Sequence, residues 1–164
     1  MRILLVTTDR RVSVSVTTAL LGLPDLDVLE VRTPQRALQQ LDDVGGFALV
    51  VADADTAPTG GFAMSREVKA RLRMDRDVPP VLLLIARKDD KWLAEWSEAD
   101  AFIRKPVDPF DFREVVEALI QGRDVPALPR VAAGGGPLRA EAKRVEAEAA
   151  GAAGGSSGVN TAGP

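Results

Sequence analysis

Three residue types on which much enzyme chemistry depends are missing from this sequence of 164 residues: it has no cysteine, no histidine and no tyrosine. Without histidine and cysteine, a zinc site of the usual kind, a thiol nucleophile, an imidazole base and a Ser-His-Asp triad are all excluded. No disulfide can form, which is compatible with a reducing compartment. These absences favour a function other than hydrolysis by a zinc ion, a thiol or a triad.

The chain also lacks the charge of a nucleic-acid-binding protein and the long apolar runs of a membrane protein. It has 21 basic and 24 acidic side chains, a net charge of −3, so attraction to a phosphate backbone is not expected. The apolar residues 3–6 stop at Thr7 and are too few for a signal peptide, and no later run approaches a membrane span. We therefore predict a cytoplasmic protein with neither nucleic acid nor membrane among its partners.

The last part of the chain has few residues from which a core is built. Residues 125–164 contain 11 alanines, eight glycines and four prolines, but no Phe, Trp, Ile or Met. So little apolar surface cannot offset the entropy lost when a segment becomes ordered. We predict one folded domain over residues 1–124 and a disordered tail over 125–164. Within the tail, residues 138–150 are good helix formers but too few for more than a transient or partner-induced helix.

Short apolar runs and helical segments alternate along the first 124 residues. The runs do not alternate with polar residues, which indicates strands covered on both faces. The last helix has the clearest start, with Asp108 as its N-cap and Pro109 in its first position. This order predicts an α/β fold with a single doubly wound, five-stranded parallel sheet, whose functional residues lie at the carboxyl ends of the strands. The predicted strands are residues 3–6, 28–31, 48–52, 81–85 and 101–103.

Two of the strand ends carry side chains of opposite charge. Asp53 directly follows the third strand, and Lys105, which precedes Pro106, follows the fifth. With Gly61 downstream of Asp53, this pattern resembles the receiver domain of two-component response regulators, over residues 1–122. The resemblance implies a flavodoxin-like receiver fold, Asp53 as the phosphoacceptor, Lys105 as a phosphate-contacting residue and a cis bond before Pro106. The alternative for the charged pair is a structural ion pair that joins two loops.

The sequence departs from the receiver pattern at the metal site. The two acidic residues that end the first strand of such domains and hold Mg²⁺ are replaced by Thr7 and Thr8. The remaining candidate ligands are Asp53, Asp55 and Asp9, which follows one position late. Because side chains alternate along a strand, Asp9 does not simply substitute for the missing pair, and capping of the first helix is its favoured role. The resemblance therefore implies Mg²⁺ as cofactor at a weak or absent site.

A second departure concerns the conformational switch of these domains. The hydroxyl residue that ordinarily ends the fourth strand is replaced by Ile85, whereas Phe102 occupies the position of the switch aromatic. In ordinary receivers the ring turns inward as the hydroxyl moves toward the phosphate. With Ile85 in place of the hydroxyl, the resemblance implies a receiver in which these two movements are uncoupled.

The two tryptophans of the chain, Trp92 and Trp96, lie four residues apart on the predicted fourth helix. They either pack at the flank of the core or form an exposed docking patch. Receivers commonly bind partners or dimerise through the fourth helix, fifth strand and fifth helix. The resemblance therefore implies a sensor histidine kinase or another signalling protein as partner, and it allows a homodimer through the same face.

Together these residues predict a signalling module without enzymatic activity: an atypical single-domain response regulator of a phosphorelay that acts through protein–protein contacts, with weak phosphorylation of Asp53 at most. A flavodoxin-like redox or nucleotide-binding protein is the alternative, since Thr7, Thr8 and Ser13 could form a hydroxyl-rich phosphate loop, although no GxGxxG or GxxxxGK motif is present. A hydrolase of the haloacid dehalogenase type, suggested by Asp53 and Asp55 at a strand end, ranks last.

Overall fold

The computed structural model describes residues 1–74, 77–127 and 131–133. Within them, five parallel strands alternate with five α-helices, as the sequence predicts. The elements are β1 Arg2–Val6, α1 Arg10–Leu20, β2 Asp27–Val31, α2 Pro34–Asp43, β3 Leu49–Asp53, α3 Gly60–Leu72, β4 Val81–Ile85, α4 Lys91–Trp96, β5 Ala101–Arg104, α5 Pro109–Ile120 and a further strand, β6 Val131–Ala133. The strand order β2-β1-β3-β4-β5 with parallel pairing throughout confirms the predicted five-stranded sheet.

The sheet is covered on both faces, which explains why its strands are apolar without alternation. Residues at odd positions of β1, such as Ile3, pack with α1 and α5, and residues at even positions, such as Leu4, pack with α2, α3 and α4. All five residues of β3 and of β4 are buried. Because β3 is the central strand, a charged residue at its carboxyl end is buried as well.

Helix α5 begins where the sequence predicts. The Asp108 side chain accepts hydrogen bonds from the backbone N–H groups of Phe110 at 3.0 Å and Asp111 at 3.1 Å. Pro109 occupies the first helical position, where its missing N–H costs no hydrogen bond. This start fixes the direction of α5 just after Lys105 and so sets the loop at that end of the sheet.

Strand β6 is an addition to the predicted sheet. It pairs antiparallel with β5, although its residues fall in the segment predicted to be disordered. That prediction rests on side-chain composition, whereas addition of a strand to an open edge depends on main-chain N–H and C=O groups. Residues 134–164, including the predicted transient helix at 138–150, lie outside the described residues. None of the helices within the described ranges has the length and apolar character needed to span a membrane.

Candidate functional site

The candidate site is centred on the Asp53 carboxylate, which is only 2% exposed at the end of β3. Its Oδ1 accepts hydrogen bonds from Lys105 Nζ at 2.7 Å and from the backbone N–H of Asp55 at 3.1 Å. Its Oδ2 accepts one from the Thr7 hydroxyl at 3.0 Å. The predicted approach of Asp53 and Lys105 at the carboxyl edge of the sheet is confirmed, with residues of the β1, β3 and β5 ends around one carboxylate.

The ammonium group of Lys105 bridges two carboxylates. Besides Asp53, it contacts Asp55 Oδ2 at 2.9 Å. Burial lowers the pKa of Lys105, but the hydrogen bonds to Asp53 and Asp55 outweigh that effect and raise it above the ordinary value of a lysine. The Lys105–Pro106 bond is cis, as the resemblance implies. Lys105 is therefore a firmly protonated cation shared by both acids.

Gly61 allows α3 to begin against the end of β3. A Cβ atom at this position would lie 2.8 Å from the carbonyl oxygen of Asp53 and 3.0 Å from its carbonyl carbon. Without a Cβ atom, Gly61 comes close enough for its backbone N–H to donate a hydrogen bond to the carbonyl of Ala54 at 3.2 Å. The preceding Gly60 has a φ of 79°, a left-handed conformation that favours glycine. These two glycines hold the loop after Asp53 close to the helix.

Thr7 takes a part in the site that the sequence interpretation missed. It is fully buried, its hydroxyl donates to Asp53, and the same oxygen accepts a hydrogen bond from the backbone N–H of Asp9 at 3.0 Å. Thr8, by contrast, is exposed. The register of β1 against β3 accounts for the contact between Thr7 and Asp53. Val6 is paired with Ala52, so the residues that follow them, Thr7 and Asp53, also lie opposite each other.

The three candidate ligand carboxylates do not fit a divalent cation. Asp9 Oδ1 accepts a hydrogen bond from the Arg11 backbone N–H at 2.7 Å, so its favoured role as N-cap of α1 is confirmed. Asp53 and Asp55 share the Lys105 ammonium. In the described part of the chain no group of three or more acidic, His or Cys side chains is arranged to hold a metal ion. Mg²⁺ requires near-octahedral oxygen ligands, and here a lysine occupies the space beside both acids.

The two switch positions lie in the core on the α3 and α4 side of the sheet. Ile85 and Phe102 are buried in the same apolar cluster, which also contains Ala54, the residue after Asp53. The Phe102 ring therefore points inward. At the end of β4 the Ile85 side chain offers only methyl and methylene groups, while its carbonyl accepts a hydrogen bond from the Lys105 backbone N–H at 2.8 Å.

Both tryptophans are exposed, Trp92 by 64% and Trp96 by 49%, and neither belongs to the apolar clusters of the core. Of the two interpretations left open by the sequence, the exposure of both side chains fits the accessible surface and not the core flank. The guanidinium of Arg66 on α3 lies 4.5 Å from the centre of the Trp96 ring, and it donates a hydrogen bond to the Trp96 carbonyl at 3.0 Å. A role in docking remains a prediction.

Beside Trp96, ion pairs join α3 to the loop between α4 and β5. The Glu98 carboxylate pairs with Arg73 and lies 3.7 Å from Arg66, and Lys69 pairs with Asp100. Glu98 has a φ of 61°, unusual for a residue with a side chain. The spacing of the three basic residues places them on one face of α3, which the sequence could predict. The sequence contains no signal that this face pairs with Glu98 and Asp100, about thirty positions further along the chain.

Comparison with known proteins identifies relatives of the chain. No family model matches the chain. Two uncharacterized response regulatory proteins of Mycobacterium tuberculosis, from strains CDC 1551/Oshkosh and ATCC 25618/H37Rv, are each 39% identical to it over 99 residues, 60% of this chain and 71% of theirs. The similarity thus covers most of the relatives' length.

Solved structures agree on the fold. A CheY-like response regulator receiver domain protein from Methanospirillum hungatei is 22% identical, with a TM-score of 0.61 over 74% of this chain and 94% of that chain. A putative response regulator from Chloroflexus aurantiacus is 20% identical, with a TM-score of 0.65 over 73% of this chain and 97% of that chain. These likenesses confirm the receiver fold, and the identity to the mycobacterial relatives establishes the family. The chain therefore belongs to the response regulators of two-component signalling.

Proposed function

We propose that this response regulator is atypical: it acts through protein contacts, and Asp53 is phosphorylated slowly or not at all. The observation that carries the proposal is the engagement of both Asp53 oxygens by Lys105, Thr7 and a backbone N–H. A carboxylate must offer a free lone pair to attack phosphorus, and the negative charge of the transferred group must be neutralised. Here three of the roughly four lone-pair positions of the Asp53 carboxylate accept hydrogen bonds, and the cation that could neutralise the charge is bound by two acids.

The absence of a hydroxyl at Ile85 supports the same proposal. A hydrogen bond to a charged phosphoryl group contributes about 1.5–3 kcal/mol, which corresponds to roughly ten- to hundredfold in rate. Phe102 is buried in the same apolar cluster as Ile85, whose side chain has no hydroxyl that could move toward phosphate. We propose that this ring keeps one position whatever the state of Asp53, so that the domain presents a constant surface to its partners.

The proposed partners are a sensor histidine kinase or another signalling protein, and the proposed contact surface includes Trp92 and Trp96. A homodimer through α4, β5 and α5 is part of the same proposal, as are the absence of enzymatic activity and a cytoplasmic location. The exposure of both indoles supports the surface, since large aromatic side chains contribute most where a partner covers them. The redox or nucleotide-binding alternative is not favoured, because the relatives are response regulators.

The test is the rate at which Asp53 is labelled. The full chain is incubated with acetyl phosphate and Mg²⁺, and its intact mass is followed with Asp53→Asn as the negative control. We expect slow or undetectable labelling of the unaltered protein and faster labelling of the variant Thr7→Asp/Thr8→Asp. Thr8→Asp alone is the matched control, because Thr8 is exposed and Thr7 faces the carboxylate. Rapid, stoichiometric labelling of the unaltered protein, abolished in Asp53→Asn, would contradict the proposal.

A further inference from the structure

Strand β5 lies at an edge of the parallel sheet, where a strand ordinarily exposes unpaired main-chain N–H and C=O groups. Its first three residues, Ala101, Phe102 and Ile103, have buried side chains, and Arg104 is exposed. What this edge offers to another molecule is therefore mainly its main chain. Such an edge binds any strand of suitable register, which includes a strand of a second copy of this chain.

In this structure β6 occupies the β5 edge. Val131 lies opposite Ile103, and Ala133 lies opposite Ala101, so three of the four β5 residues are paired. The free energy gained from the main-chain hydrogen bonds of so short a strand is comparable to the free-energy cost of the entropy lost when its three residues become ordered. A strand held by this balance is released without unfolding the domain.

We propose that β6 is a releasable cover of the β5 edge, which competes with a second copy of this chain for the same main-chain groups. The inference rests on the partner surface proposed above. Two β5 edges related by a two-fold axis would pair antiparallel, as β5 and β6 do, and would use the same N–H and C=O groups. The flanking α4 and α5 carry exposed aromatic side chains, Trp92, Trp96 and the 85% exposed Phe110, which such pairing would bring toward the partner.

The direction of β6 separates this cover from the Asp53 site. From Val131 to Ala133 the chain runs toward the amino end of β5, whereas Lys105 follows its carboxyl end. Release of β6 therefore opens the partner surface and leaves the hydrogen bonds of Asp53 in place.

Proline substitutions in the full chain test the proposal. In an antiparallel ladder, hydrogen-bonded and non-hydrogen-bonded pairs alternate, so the N–H groups that donate to β5 belong either to Ala132 or to Val131 and Ala133. Proline has no N–H, so one of two variants, Ala132→Pro or Val131→Pro/Ala133→Pro, removes these donors. Ala152→Pro, in the same alanine- and glycine-rich segment but outside β6, is the matched control. Hydrogen exchange at the amide of Phe102 reports the pairing, because amides alternate in direction along a strand and the Lys105 N–H, at an odd position like that of Ile103, donates to β4. Sedimentation across a concentration series reports association.

In at least one of the two variants we expect the β5 amide protection to be about tenfold or more lower than in the unaltered chain and in the control. The same variant should self-associate at a concentration about tenfold lower than these two proteins do. Equal protection in all four proteins would overturn the cover. Lost protection without self-association would overturn the second copy as the competitor. Labelling of Asp53 by acetyl phosphate is measured alongside: rapid labelling in every protein would count against the proposed function and not against the cover.

Discussion

Lys105 supplies the positive charge that the carboxyl edge of the sheet needs. Its ammonium contacts both Asp53 and Asp55, and its raised pKa means that protonation of Lys105 favours the folded state. A group whose pKa is raised on folding contributes stability that is complete below its unfolded pKa and is lost as the pH rises through the folded value. For a lysine the loss begins at about pH 10.4.

Replacement of Lys105 by Met should therefore cost stability in a pH-dependent manner. We expect Lys105→Met to lower the free energy of unfolding by about 1–3 kcal/mol at neutral pH, the contribution of a charged hydrogen bond. The difference from the unaltered protein should stay constant up to about pH 10 and shrink above it. Urea unfolding followed by tryptophan fluorescence measures it, and no tyrosine contributes to the signal or titrates in that range. Lys91→Met, at an exposed lysine, is the control; a Lys105→Met difference that persists unchanged beyond pH 11 would contradict the assignment.

Single residues differ in how far the sequence could specify them. The positions of Asp53 and Lys105 were predictable because each closely follows an apolar run, whereas Gly61 and the cis bond before Pro106 followed from the resemblance. The contribution of the Thr7 hydroxyl was not predicted, because the receiver pattern has an acidic residue at this position and Thr7 was considered only as the loss of that acid. A hydroxyl that donates to Asp53 and accepts from the Asp9 backbone depends on the register of β1 against β3, which is a property of the folded sheet.

Helix α3 and the loop before β5 are joined by a buried ion pair. Lys69 and Asp100 have side chains that are 8% and 14% exposed, and Asp100 also accepts a hydrogen bond from the Val81 backbone N–H at 2.7 Å. The pair thus links α3, the start of β4 and the loop that leads into β5. Removal of one partner from a buried pair leaves the other charge without its counter-ion, which costs more than the pair itself contributes.

The same substitution at two lysines should separate this buried pair from a surface pair. We expect Lys69→Met to destabilise the domain by about 3 kcal/mol or more, because the Asp100 carboxylate loses the Lys69 ammonium in a poorly solvated position. Lys91→Met breaks the exposed pair of Lys91 with Glu95 and should cost less than about 1 kcal/mol. Equal small effects in urea unfolding would show that Lys69 makes no net contribution. Recovery of stability in Lys69→Met/Asp100→Asn would assign the loss to the uncompensated charge.

Most elements were predictable because local signals agree with one another. The five apolar runs give the five parallel strands, and Asp9 and Asp108 mark the starts of α1 and α5. Strand β6 was not predicted, because a Val-Ala-Ala stretch between glycines and prolines has no strand signal of its own. It forms against the main chain of β5, and composition does not report the presence of an open edge.

The whole molecule has no side-chain type whose ordinary pKa falls between about pH 5.5 and 7, because histidine is absent. The number of bound protons should then be the same in the folded and unfolded states over this range. We expect the free energy of unfolding to vary by less than about 0.5 kcal/mol between these pH values, measured by urea unfolding. A clear slope over this range would contradict the expectation.

The two edges of the sheet are protected in different ways, which bears on how the protein behaves when concentrated. At one edge β2 carries Asp27 and Glu30, charges that repel an approaching strand. At the other edge three of the four β5 residues bear no charge, and within the described residues β6 is what covers their main chain. A chain shortened at residue 124, where the composition changes, would keep its folded core and lose that protection. Its β5 edge would then be open to pairing with another chain, and because the β2 edge stays protected by charge, such association would stop at pairs of molecules and not extend into fibres.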